Sequence, residues 1–119
     1  MFIFFVAQLV LLDAVLKTIK ADNLLENTLE AGDVLMQGLR ELEARYPQYL
    51  RAARGRGTFC AIDCDSGARR DQVIARLRML GVHVGGCGEA AIRLRPALVF
   101  QPHHANILLG TLEDVLKTL

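Results

Sequence analysis

Apolar residues recur along this chain with two periods, and each change of period marks an element. From about Phe4 to Lys20 the pattern is helical, entered through a run, Met1 to Leu12, that is apolar except for Gln8. A second helix is expected to start at Asp22 or Asn23, either of which can cap it, and Glu26 stands where a capping box on Asn23 requires it. Leu25, Leu29, Leu35, Leu39, Leu42 and Tyr46 then recur at helical spacing as far as Pro47, which biases Tyr46 away from helical geometry. Arg54-Gly55-Arg56-Gly57 reads as a loop, and Thr58 to Asp63 alternates into a strand. Asp65-Ser66-Gly67 is a turn that can cap a helix whose face is Val73, Leu77 and Leu80 and which Gly81 ends. Val82 to Val84 is expected as a short strand, Gly85 to Gly88 as a turn, and Ala91 to Leu94 as another strand. Pro102 opens a last helix with Leu108, Leu112, Val115 and Leu119 on its apolar face. The expected order is two helices, then β-α-β-β-α: an α+β domain with helices on one face of a sheet.

Composition narrows the functions such a domain can serve. The 119 residues fit one domain, and 52% hydrophobic with 23% charged residues describes a folding globular chain. A net charge of +1, no Trp, and aromatics that do not interleave with basic residues argue against a nucleic-acid interface. The apolar run at the start is shorter than the roughly 20 residues of a membrane span. It lacks the basic opening of a signal peptide and the Arg and Ser richness of a transit peptide. It reads instead as an extension leading into the first helix, and Met1 to Leu16 are expected to bury poorly. The three cysteines, Cys60, Cys64 and Cys87, are too few and irregular for a disulfide framework and are expected as buried free thiols in a reducing compartment. Cys60 and Cys64 lie in a strand-like run, where four residues span roughly 13 Å, so no metal site is expected of them.

Arg93-Leu94-Arg95-Pro96 is the most suggestive stretch. Strand geometry puts Arg93 and Arg95 on one face and turns Ile92 and Leu94 to the other, toward the helices. Two guanidinium groups on one face repel unless a carboxylate answers them, and the planar fork of Arg binds a carboxylate bidentately. Spacing alone leaves two readings open: a solvated face with internal ion pairs, or a ligand site. Gly85-Gly86-Cys87-Gly88 has no following Lys-Ser/Thr and opens no helix, so it is a tight turn where backbone approaches something closely rather than a phosphate loop. Cys87 has no adjacent base to make it a nucleophile. His103 and His104 point in different directions on a helix and read as surface or interface histidines. A single Arg54-Gly55-Arg56-Gly57 in a neutral domain carries no argument for RNA.

The wording of the chain adds a resemblance. Ala44-Arg45-Tyr46-Pro47-Gln48, Arg54-Gly55-Arg56-Gly57-Thr58-Phe59-Cys60, Gly81-Val82, Gly85-Gly86-Cys87-Gly88, Ile92-Arg93-Leu94-Arg95-Pro96, Leu98-Val99-Phe100 and His103-His104-Ala105 occur in order. Together they resemble mitochondrial-type 4-aminobutyrate aminotransferases, and more distantly ornithine aminotransferases, from about Gln8 onward. The resemblance implies fold-type I homodimers in which a large domain holds pyridoxal phosphate and a C-terminal small domain closes over the site. Residues 1–22 are expected as an apolar N-terminal helix, and the resemblance implies residues 23–119 as that small domain. The implied reaction moves an amino group from 4-aminobutyrate, or a related β-amino acid, to 2-oxoglutarate, in the mitochondrial matrix.

The family's small-domain arginine, which handles a substrate carboxylate or pairs with an active-site Glu, falls on Arg93. Arg95 is implied in structural ion pairing. The family's Schiff-base lysine, its pyridine-nitrogen carboxylate, its phosphate cup and its iron–sulfur cysteines belong to the large domain, upstream of this chain. Lys17, Lys20 and Lys117 sit in helical surface context. Hence no catalytic, cofactor-binding or metal residue is assigned here, and Arg93 is the one substrate-binding candidate. Met1 to about Ala7 match nothing in the family. The rival readings are a non-catalytic interaction fragment and a small-molecule-binding regulatory domain.

Overall fold

The computed structural model describes residues 2–119, with side chains from Ile3 onward. The chain runs α1 (Phe2–Ala21), α2 (Leu24–Arg45), β1 (Leu50–Arg56), β2 (Phe59–Cys64), α3 (Gly67–Met79), β3 (Gly85–Cys87), β4 (Ala91–Leu94) and α4 (Pro102–Lys117). The four strands form one antiparallel sheet in the order β1-β2-β4-β3. The α+β expectation holds, with one strand more than the β-α-β-β-α pattern contains.

One face of the sheet is apolar. Cys60, Ile62 and Cys64 of β2 and Ile92 and Leu94 of β4 are buried against Leu35, Leu39 and Leu42 of α2, Val73 and Leu77 of α3, and Leu108, Leu112 and Val115 of α4. The other face carries Arg54, Ala61, Asp63 and Arg93 at paired ladder positions. This is the alternation that period-2 geometry requires, with Ile92 and Leu94 inside and Arg93 outside.

Several local expectations are corrected. At the start of α2, Asn23 adopts left-handed backbone (φ 53°) and makes no capping bond to the helix. Its side-chain amide donates instead to the Glu26 carboxylate, so the two ends of the expected box satisfy each other. Leu25 and Leu29 are exposed, and Leu24 and Ala31 take their places in the buried face. At about 100° per residue, Leu25 and Leu29 lie about 90° and 130° from the centre of the stripe formed by Leu24, Ala31, Leu35, Leu39 and Leu42. Leu80, expected beside Val73 and Leu77, is exposed because α3 ends at Met79.

Arg54-Gly55-Arg56 is not a loop but the end of β1, and the reversal follows at Gly57 and Thr58. A bulge between Arg51 and Arg54, with Ala52 at φ 57°, breaks the alternation that would have announced this strand. Glu43 of α2 answers the disruption by accepting a hydrogen bond from the Ala53 N–H at 3.3 Å. The expected strand Val82–Val84 is likewise displaced. Val82 and Val84 pack half-buried against the core, and the edge strand is the glycine-rich β3.

α1 stands apart. It packs against no element except α2, and every described side chain from Ile3 to Lys20 is exposed except the half-buried Ile19. The poor burial expected of the first sixteen residues holds from Ile3 to Leu16, while the side chains of Met1 and Phe2 lie outside the described residues. No helix among the described residues is long and apolar enough to cross a membrane.

Candidate functional site

The end of β4 and the start of α4 border a cleft of about 480 Å³. Its floor is apolar, from Leu35 and Leu108. Arg93, Arg95, His83 and His104 supply its polar groups, and no acidic side chain lines it. An apolar floor with basic groups around it and no acid to neutralise them suits a small anion with an aliphatic body.

Arg93 is half-buried and has no ion-pair or hydrogen-bond partner among the described residues. The nearest acid on the same sheet face, Asp63, is taken by Arg54 at 3.2 Å. The Arg93 guanidinium lies across its ladder partner Gly85, where an added Cβ would come within 3.1 Å of it. A side chain at position 85 would therefore push the guanidinium out of place, and glycine leaves it room. Arg95 is exposed, and none of the ion pairs among the described residues includes it. The ion pairing expected of Arg95 therefore finds no carboxylate partner among the described residues.

Three further residues hold the segments that border the cleft. Arg70 of α3 donates from Nη1 to the carbonyls of Cys87 (3.1 Å) and Ala91 (3.0 Å), closing the β3–β4 turn from both ends. Its guanidinium occupies the space beside Gly86, where a Cβ would sit 2.8 Å from Nη1. The close approach that the glycine run signals is thus the approach of Arg70. Asn27 of α2 donates from Nδ2 to the carbonyls of Leu98 and Phe100, both at 2.9 Å, and ties down the segment between β4 and α4. His104 accepts a hydrogen bond from the Gln101 N–H on Nδ1 at 3.0 Å and so caps α4. Its ring stacks on Phe100 with centroids 5.8 Å apart. His103 and His104 are both exposed, as surface histidines should be, but the capping role of His104 leaves no mark in its spacing. Arg70 and Asn27 were also missed, because their partners are backbone carbonyls far along the chain.

Cys60 and Cys64 are buried free thiols, but Cys87 is exposed on the edge strand, which corrects the expectation for that residue. Burial pushes both inner thiols up, and Cys64, with Asp65 adding to the effect, reaches about 11.

Comparison with known proteins bears on this site. A family model described as Aminotransferase class-III matches residues 6–116. The chain belongs to the class-III aminotransferases. It is 47% identical over 106 residues to the mitochondrial 4-aminobutyrate aminotransferase of Sus scrofa, which covers 89% of this chain and 21% of that protein. It is 46% identical over 108 residues to the 4-aminobutyrate aminotransferase of Dictyostelium discoideum, covering 91% and 22%. Among solved structures it superposes on the lysine aminotransferase from M. tuberculosis with a TM-score of 0.84 and 30% identity, over 87% of this chain and 24% of that one. A phospholyase from Arthrobacter gives 0.85 and 31%, over 89% and 27%. The chain therefore spans about a fifth of the length of the curated relatives it matches.

Class-III aminotransferases use pyridoxal phosphate. A covalently held aldehyde cofactor needs a lysine at the site. Lys17, Lys20 and Lys117 are exposed on α1 and α4, and none lines the cleft. No carboxylate there faces a pyridine nitrogen either. The described residues that line this cleft do not fit the cofactor, and no step is derived through it.

Proposed function

We propose that this chain supplies the small-domain portion of a 4-aminobutyrate:2-oxoglutarate transaminase, with residues 23–119 as the small-domain unit and Arg93 as its substrate-carboxylate ligand. In this reading the cofactor and its lysine come from a large domain, the assembly is a homodimer, and it works in the mitochondrial matrix. The observation that carries the reading is Arg93: a half-buried guanidinium without an internal partner, at a cleft without an acid. An arginine whose charge the fold leaves unanswered is suited to an anion from outside, and both 4-aminobutyrate and 2-oxoglutarate bring carboxylates. The likeness to 4-aminobutyrate aminotransferases supports the choice of substrates.

The test uses a full-length enzyme carrying this sequence as its small domain. Arg93→Ala should lower kcat/KM of the 2-oxoglutarate half-reaction by one to four decades, since hydrogen bonds to charged groups are worth roughly 1.5–3 kcal/mol each. Arg93→Lys should restore only part, because an ammonium offers a point charge without the planar fork. Arg95→Ala, at an exposed and unpaired residue, should change the half-reaction little. Equal, small effects of Arg93→Ala and Arg95→Ala, followed by single-turnover absorbance, would remove Arg93 from the site.

A further inference from the structure

β3 carries two glycines that its backbone does not require. Neither Gly85 nor Gly86 has a positive φ, and glycine inside a strand weakens it. The need for them lies in what a side chain would meet. At Gly85 a Cβ would come within 3.1 Å of Arg93 Nη2, with Nε and Cζ at 3.7 and 3.8 Å. At Gly86 it would meet Nη1, Cζ and Cδ of Arg70 at 2.8, 3.0 and 3.1 Å. Successive strand residues face opposite sides, and the register agrees. Gly85 pairs with Arg93 on the open face, and Gly86 with Ile92 on the core face. β3 is therefore a bare ribbon between two guanidinium groups.

Little else fixes that ribbon. β3 is a three-residue edge strand that meets no element besides β4 and α3. Among the described residues, the side chain that hydrogen-bonds to it is Arg70, through the Cys87 carbonyl at 3.1 Å. The same Nη1 reaches the carbonyl of Ala91 at 3.0 Å, and Ala91 is the partner of Cys87 across the ladder. The Arg70 side chain is 14% exposed, and Asp71 at 2.8 Å answers its charge. We propose that Arg70 is a positioning residue for Arg93. It locks the Cys87–Ala91 end of the ladder, and Gly85, two residues back along β3, is the surface on which the Arg93 guanidinium lies. The fork then meets a carboxylate in one place rather than several. This rests on the reading of Arg93 as a carboxylate ligand. It extends that reading to α3, none of whose residues lines the cleft.

A double-mutant cycle tests the proposal, in the full-length enzyme carrying this sequence as its small domain. The readouts are half-saturation by 2-oxoglutarate in single turnover and the inhibition constant of glutarate, a dicarboxylate without a keto group to react. Arg70→Met should weaken both about ten- to a hundredfold, the scale set by misplacing a bound group by about 1 Å. In an Arg93→Ala background the same change should cost less than about twofold, because an absent guanidinium cannot be misplaced. Gly86→Ala, which drives Arg70 off the strand, should reproduce Arg70→Met. Arg70→Lys should recover part, since an ammonium still donates to carbonyls. Gly85→Val, which takes the seat of the guanidinium, should show the same dependence on Arg93. A merely structural Arg70 would lower the melting temperature and weaken glutarate by equal factors in both backgrounds, and that additivity would overturn the proposal. Unchanged glutarate binding in Arg70→Met would do so too. Should Arg70→Met not fold, Arg70→Lys and Gly86→Ala carry the same cycle. A loss on Arg93→Ala without one on Gly86→Ala sinks the positioning role alone. Glutarate binding that survives Arg93→Ala sinks the carboxylate reading and the positioning role together.

Discussion

Cys64 sits fully buried on β2, and a thiolate there would be a charge without water beside Asp63 and Asp65. Its pKa rises from 9.0 to about 11, so the native state holds the proton after the unfolded state has released it. The stability this contributes is fully present below pH 9.0 and is lost as pH rises toward about 11. The loss should amount to about 2–3 kcal/mol. Denaturant unfolding of the wild type and Cys64→Ala across that range should show a steeper alkaline decline for the wild type, and parallel curves would contradict the burial argument. Among the site residues, Arg93 was legible because strand period alone puts it opposite Ile92 and Leu94. Arg70 was not. Its partners, the carbonyls of Cys87 and Ala91, lie 17 and 21 residues away, and no periodicity links a helix side chain to a distant turn.

At the scale of elements, α2 shows what periodicity can and cannot resolve. Six apolar residues at helical spacing announce the helix, yet only the phase of the stripe decides which of them meet the core. The leucines at 25 and 29 are large but exposed, whereas Ala31, too small to mark the stripe, is fully buried. Leu39→Ala should therefore cost about 2–5 kcal/mol, whereas Leu29→Gln should change stability by less than about 0.5 kcal/mol. Chemical denaturation of both variants checks the contrast, and a large loss for Leu29→Gln would return that residue to the core. α2, α4 and β2 were readable because each buries one regular face. β1 and β3 were not, for opposite reasons. The bulge at Ala52 breaks the pattern of β1. β3 is mostly glycine and has no pattern to break, being held by Arg70 and by pairing with β4.

At the scale of the whole molecule, the chain has a complete core and an incomplete reaction site. The core closes with helices on one face of the sheet, while the opposite face and α1 are left open. The cleft has basic groups but no lysine. The purified chain, given 4-aminobutyrate, 2-oxoglutarate and pyridoxal phosphate, should accordingly form no glutamate above background. Robust turnover would show that Lys17, Lys20 or Lys117 can serve the cofactor after all. The α+β class was legible because the alternation of helical and strand periods survives along most of the chain. The course of the sheet was not, since its order depends on which strands pair across α3.

The packing of α4 on α2 has a further consequence for synthesis. The last helix supplies Ala105, Leu108, Leu112, Val115 and Leu116 to the core. A nascent chain that has reached Leu94 already holds all four strands and three of the four helices, but Leu35 and Leu39 still lack the side chains that cover them. Contacts between elements this far apart in sequence form late. Until α4 has been translated and has left the ribosome, the growing polypeptide leaves apolar side chains of α2 and α3 uncovered, the kind of surface that chaperones bind.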